Sequence, residues 1–224
     1  MKKLLLAFSL LLCTSAVNAQ DDIFDNPDNH PYLGARLGID ITSTGGSNTG
    51  VYNNGTGFSV GAVYNIPLYM NLYFEPGLSV FYDTFGYQNM IKLPAPTPDD
   101  PNASIPYFYD ASIRNFGFRI PMLVGFNFDF VEDLRVASFT GPQGNLNLVA
   151  SYHKQSVVDP NHSGSIFGEY GFKHADFQWV IGVGVSYQKY YVSIAGGIGM
   201  TRVRNLAKDH FRRNTFNISL GYNF

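Results

Sequence analysis

The chain has 224 residues, of which 14% are charged, 16% aromatic and 45% hydrophobic, with 23 glycines and a formal net charge of −2. An ordinary soluble domain carries about 25% charged residues, and a disordered chain carries few aromatics, so the composition fits neither. A bundle of membrane helices is excluded as well, because each span needs roughly 20 consecutive apolar residues and the longest apolar stretch, Leu4 to Cys13, is shorter and interrupted by Ser9.

Residues 1–19 read as a secretory signal. Lys2 and Lys3 give the positive start, the short apolar run follows, and Val17-Asn18-Ala19 places small residues at a cleavage site. Leu12 precedes Cys13, where lipidation wants a small residue. Cys13 is the only cysteine, so cleavage leaves an exported chain that uses no disulfides. It also removes two of the basic residues, and the acidic excess that remains gives no nucleic-acid footprint. Residues 20–31, with Asp21, Asp22, Asp25 and Asp28, read as a flexible periplasmic segment, and 32–224 as the folded domain.

From there the pattern has period two. Leu33, Ala35, Leu37, Ile39 and Ile41 alternate with Gly34, Arg36, Gly38 and Asp40. Phe58, Val60, Ala62 and Tyr64 form a second set, and Leu72, Phe74, Leu78, Val80 and Tyr82 a third, opposed by Glu75, Gly77, Ser79 and Asp83. The clearest run is the fourth, where all eight even positions from Phe116 to Phe130 are large and apolar. A fifth, weaker strand lies within 134–151 through Leu146, Leu148 and Ala150. Three more follow: Phe177 to Tyr187, Tyr190 to Met200, and Phe216 to Phe224. Alternation puts one set on each face of a strand. The second face is Gly, Ser and Asn with isolated charges, not the Lys- and Glu-rich exterior of a soluble sandwich. Small and polar residues suit a narrow lumen, with the large apolar set facing lipid.

The connections alternate strictly, long (43–56, 87–111, 152–175, 203–213) and short (66–71, 131–134, 188–190). Tight periplasmic turns and extended outer loops produce this alternation. The predicted fold is therefore all-β: an eight-stranded antiparallel transmembrane β-barrel of the outer membrane, with both termini periplasmic. Tyr69, Tyr73, Tyr187, Tyr190, Tyr191 and Tyr222 are expected in an interfacial girdle on the short-turn side, and Tyr82, Phe85, Tyr87, Phe116 and Trp179 in the opposite one.

An eight-stranded barrel is just wide enough for side chains to fill it, so the inward charges Arg36, Asp40, Glu75, Asp83, Arg119 and Asp129 must neutralise one another. Glu75 with Arg119 and Arg36 is the expected central cluster. The last long loop concentrates Arg202, Arg204, Lys208, Arg212 and Arg213, with His210, against the single acid Asp209. At an outer leaflet such a cluster suits the phosphates of lipopolysaccharide. The Pro-rich loop 88–110 is expected to be extended and stiff, and with 43–56 and 152–175 to offer a face for protein partners. His30, His153, His162, His174 and His210 make no metal-ligand spacing, and no cofactor motif occurs. Gly196-Gly197-Ile198-Gly199 sits in a strand with no helix after it, which indicates close packing instead of a phosphate loop. His153 with Ser156, or His162 with Ser163, and Glu169 or Asp176, contain the residue types of a hydrolytic triad, but spacing alone does not make one, and the chain is not expected to be an enzyme.

Several motifs, in order, resemble the PorT-type outer-membrane β-barrel family of Bacteroidetes: Pro67-Leu68 with Leu72-Tyr73-Phe74-Glu75-Pro76-Gly77-Leu78; Phe118-Arg119-Ile120-Pro121-Met122-Leu123-Val124; Gly141-Pro142; Gly182-Val183-Gly184-Val185; and Leu220-Gly221-Tyr222-Asn223-Phe224. The resemblance implies an eight-stranded outer-membrane barrel. It also implies an alternative role, as an accessory factor in protein secretion, beside the structural or surface-interaction role suggested by the loops; a lipid A-modifying enzyme is the remaining alternative. The ending, with Leu220, Tyr222 and Phe224 on one face, resembles the signal read by the outer-membrane assembly machinery.

Overall fold

The computed structural model describes residues 30–45, 52–68, 71–94, 104–131, 133–155, 163–165, 167, 172–203 and 212–224. The expected leader and acidic N-terminal segment lie outside them except for His30 and Pro31. The strands are β1 (Tyr32–Gly45), β2 (Tyr52–Pro67), β3 (Leu72–Pro94), β4 (Ser104–Val131), β5 (Leu134–Gln155), β6 (Ser163–Ser165), β7 (Ala175–Tyr187), β8 (Tyr190–Gly199) and β9 (Arg212–Asn223). Every neighbouring pair is antiparallel, and β9 pairs with β1 while β4 pairs with β5. The sheet therefore closes on itself through eight strands, and β6 is a three-residue ribbon laid on the far end of β5. Both ends of the barrel domain lie at the end with the short turns.

The alternation of the sequence becomes the inside and outside of this wall. In β1, Ile39 is 65% exposed while its neighbour Asp40 is 0% exposed. Leu33, Leu37, Phe58, Met122, Val124, Ile181, Val192, Ile218 and Leu220 continue the apolar outer surface. A soluble protein does not leave so continuous an apolar band uncovered; a bilayer covers it. A two-residue connection, Gln188 and Lys189, joins β7 to β8, with Gln188 at φ 52, the positive φ that such hairpins use at the first turn position.

Three expectations are corrected. The segment 87–111 is not one open loop: β3 and β4 stay paired from Tyr87↔Ala111 to Pro94↔Ser104, leaving only 95–103 outside the described residues. The strand expected through Leu146, Leu148 and Ala150 does not keep them on one face. Phe116 faces Val149 while Gly117 faces Asn147, so Leu148 is an extra residue in a β-bulge. Leu148 and Val149 both point outward and Ala150 turns in. Third, Tyr73, Tyr191 and Phe85, expected in the girdles, are buried in the lumen. Glycines on facing strands make room for two of these rings: a Cβ at Gly125 would collide with Tyr73, and one at Gly184 with Tyr191. Tyr187, Tyr190 and Tyr222 do project outward at the short-turn end, where Tyr222 packs edge-on against Tyr190 and Phe224. The expected eight-stranded closure holds, with β6 an addition outside the ring.

One arc of the wall is laced less tightly than the rest. Proline has no N–H to give a ladder. Pro76 faces Met122, Pro121 faces Gln143, and Pro142 faces Trp179, so three adjacent strands carry proline at nearly one level. The paired rows lapse beside them, between Val63/Gly77 and Ile66/Phe74, between Pro76/Met122 and Ser79/Arg119, and between Pro121/Gln143 and Val124/Thr140.

Candidate functional site

Among the described residues, the inward side chains build three charged tiers. Nearest the short-turn end, Arg36 Nη2 lies 3.7 Å from Glu75 Oε2. Asn65 Nδ2 donates to the same oxygen at 3.2 Å. Arg36 Nη1 donates to Asn223 Oδ1 at 2.8 Å, and its guanidinium lies 4.2 Å from the centre of the Tyr191 ring. In the middle, Arg119 Nη1 donates to both oxygens of Asp40, at 3.0 and 3.1 Å, and Asn217 Nδ2 adds a third bond to Asp40 at 2.8 Å. Toward the long connections, Arg213 bridges two carboxylates: Nη1 donates to Asp83 Oδ2 at 3.2 Å and Nη2 to Asp176 Oδ2 at 2.7 Å. Phe81, fully buried, separates the upper two tiers, with the Arg119 and Arg213 guanidiniums 4.9 and 5.2 Å from its ring centre.

Amides extend the upper tier. Asn145 Nδ2 and Asn147 Nδ2 donate to the two oxygens of Asp176, at 2.7 and 3.2 Å. Asn115 Nδ2 donates to Asn147 Oδ1 at 2.8 Å. Gln143 Nε2 and Thr215 Oγ1 both donate to Gln178 Oε1 at 3.1 Å. Pairing and hydrogen bonding of this kind offset the several kcal/mol that each buried ion otherwise costs. Above the tier, Phe172 and Val203 are buried across the mouth. Lys173 N–H donates to the Val203 carbonyl at 2.8 Å, Asn147 N–H donates to that of His174 at 2.6 Å, and the His174 ring stacks on Phe167 at 3.9 Å. The upper lumen is filled in layers.

Below Phe81 the filling is incomplete. A chamber of about 120 Å³ lies between the lower two tiers. Arg36, Glu75 and Arg119 are the charged groups on its wall, and Leu123, Phe139 and Val180 give it an apolar side.

The expected cluster of Glu75 with Arg36 and Arg119 is thus partly altered. Arg36 faces Glu75, but Arg119 is taken by Asp40. The expected outer cluster changes more. Arg213 is 2% exposed and lies inside the barrel, because residue 213 shares the parity of Thr215, Asn217 and Ser219 on the inward face. Arg202 and Arg212 are exposed, while Arg204, Lys208, Asp209 and His210 lie outside the described residues. The Asp129 side chain, the side chains of His153 and Ser163, and Ser156, His162 and Glu169 also lie outside them. Asp176, offered as the acid of a triad, is committed to Arg213 in the lumen. Leu220, Tyr222 and Phe224 all project outward. The residues missed by sequence reading, Phe81, Asp176 and Arg213, were findable by parity: each is in step with an inward neighbour, Ser79, Gln178 or Thr215.

A closed antiparallel wall, apolar outside and salt-bridged inside, defines a transmembrane β-barrel. The chain belongs to the outer membrane protein β-barrel domain family, whose model matches residues 4–224, and its place is the outer membrane. The sequence has no match among curated proteins. Among solved structures, the chain is similar to Ail, the attachment invasion locus protein of Yersinia pestis, with 10% identity over 87% of this chain and 99% of that one and a TM-score of 0.37. It is similar to Neisserial surface protein A, with 15% identity over 87% and 97% and a TM-score of 0.43. It is also similar to LpxR from Salmonella typhimurium, with 11% identity over 89% and 86% and a TM-score of 0.32.

Proposed function

We propose that this barrel is a surface-interaction protein that works from its long-connection end, with the short turns and both termini in the periplasm. The observation that carries the reading is the length of the wall at that end. β4 runs 28 residues and β3 runs 23, where a membrane-crossing strand needs about 9–11. The paired β3–β4 ribbon therefore stands well clear of the apolar band. The salt-bridged tiers that occupy much of the lumen support the same reading.

Its basic groups favour lipopolysaccharide as a contact. Arg202 and Arg212 are exposed at that end, and Arg204 and Lys208 fall between them in sequence. Neutralising these four, with Arg213 left intact for its internal role, is expected to abolish salt-sensitive co-purification of lipopolysaccharide. Retention at the wild-type level in low salt would remove the proposal. The outward face of Leu220, Tyr222 and Phe224 supports recognition by the assembly machinery, so deleting Phe224 is expected to lower outer-membrane yield in cells; unchanged yield counts against that role.

One observation favours a second reading, the secretion accessory implied by the PorT-type resemblance. Glu75, Arg119, Pro121 and Leu123, from two separate motifs of that resemblance, meet on the wall of one chamber. Co-purification of the intact barrel with other secretion components would support it, and recovery of lipopolysaccharide alone would favour the first.

A further inference from the structure

We propose that the internal chamber is a binding site for the carboxylate of a small organic acid, held by the free edge of Arg119. A guanidinium offers two edges on which paired N–H groups match a carboxylate. Arg119 spends a single nitrogen, Nη1, on Asp40. Its Nε and Nη2, the side-on pair, have no partner in the protein, although the residue is only 5% exposed and lies on the chamber wall. Leaving such donors unmatched in a buried position is costly. One tier higher, Arg213 leaves only its Nε without a partner and holds two carboxylates, Asp83 and Asp176, from Nη1 and Nη2. Arg119 has one carboxylate and room for the second.

The rest of the chamber narrows the ligand class. Among its charged lining residues are two guanidiniums, Arg36 and Arg119, against one carboxylate, Glu75. Asp40 offsets Arg119 from the Nη1 side, so an anion entering at the free edge repeats the two-acid arrangement around Arg213. Leu123, Phe139 and Val180 supply an apolar wall that an inorganic anion leaves unused. A volume of about 120 Å³ suits a short aliphatic acid. The site is independent of whatever the long-connection end contacts.

The test uses the full barrel in lipid nanodiscs and carboxyl-labelled butyrate, followed by NMR titration. Saturable binding is expected, with neutral butyramide and inorganic phosphate at least tenfold weaker. Arg119→Lys keeps a charge for Asp40 but loses the fork, and Ala195→Leu narrows the chamber without touching a charge; each is expected to weaken butyrate binding at least tenfold. Heat-modifiable gel migration checks that both variants remain closed barrels, and if one does not fold, the other carries the test. Absence of saturable binding to the wild type overturns the proposal. So does equal binding of butyramide or phosphate, or butyrate affinity unchanged in a folded variant.

Discussion

Replacing Arg213 with methionine is expected to cost the barrel about 3–5 kcal/mol of unfolding free energy, measured by denaturant titration in lipid vesicles. Methionine preserves much of the side-chain length, so the loss isolates the charge. Asp83 and Asp176 would then share a buried tier with no cation between them; both are almost completely inaccessible, and Asp176 keeps only its amide bonds to Asn145 and Asn147. The cost comes from stranding two carboxylates more than from losing an attraction. That account makes a second, sharper expectation. Adding Asp83→Asn and Asp176→Asn to the methionine variant should restore most of the stability, because the tier is then neutral. If the single variant loses less than about 1 kcal/mol, or if the triple variant is no better than the single, the ion-pair account of the upper tier fails.

Arginine at Val124 is expected to cost about 2–4 kcal/mol, the range for a basic residue at the bilayer midplane on the lipid face. Val124 projects outward from the middle of the fourth strand's apolar run. Asn127, three residues on, has the opposite parity, and arginine there should disturb the lumen instead. The two variants are separable by lipid thickness. Moving the protein into a thinner bilayer brings Val124→Arg closer to water and should shrink its penalty, while leaving that of Asn127→Arg unchanged. Equal responses of the two would break the assignment of inside and outside.

That assignment is the part of the fold most legible in the sequence, because the side-chain period of a strand is two and the two solvents of a membrane barrel differ so much. Leu33 to Ile41 and Phe116 to Phe128 can be assigned to faces by eye. Bulges defeat this reading. The extra Leu148 shifts the parity of everything after it in β5, and no residue type at 146–150 marks the shift. Aromatic residues defeat it differently. Tyr73 and Tyr191 serve equally well at an interface or in a lumen, and only the glycines on the facing strands, Gly125 and Gly184, decide for the lumen. Those glycines are 52 residues from Tyr73 and 7 from Tyr191 in the numbering, so the match emerges only once register is known. Arg213 was obscured by its company. Read with the neighbouring arginines it looks like one charge in a surface patch; read by parity with Thr215 and Asn217 it belongs inside. The partner of Arg119 could not be chosen from sequence, since Asp40 and Glu75 have the same parity and differ only in height along the axis.

The row formed by Pro76, Pro121 and Pro142 has a mechanical consequence. A barrel in a bilayer is a hoop under lateral pressure, and its resistance to flattening comes from the hydrogen bonds that run circumferentially from strand to strand. Where those bonds are thinned on three adjacent staves, the hoop is most compliant. The chamber lies directly behind that arc, bounded by Pro121, Leu123 and Gln143. The internal space therefore borders the sector of the wall whose circumferential pairing is interrupted on three adjacent strands.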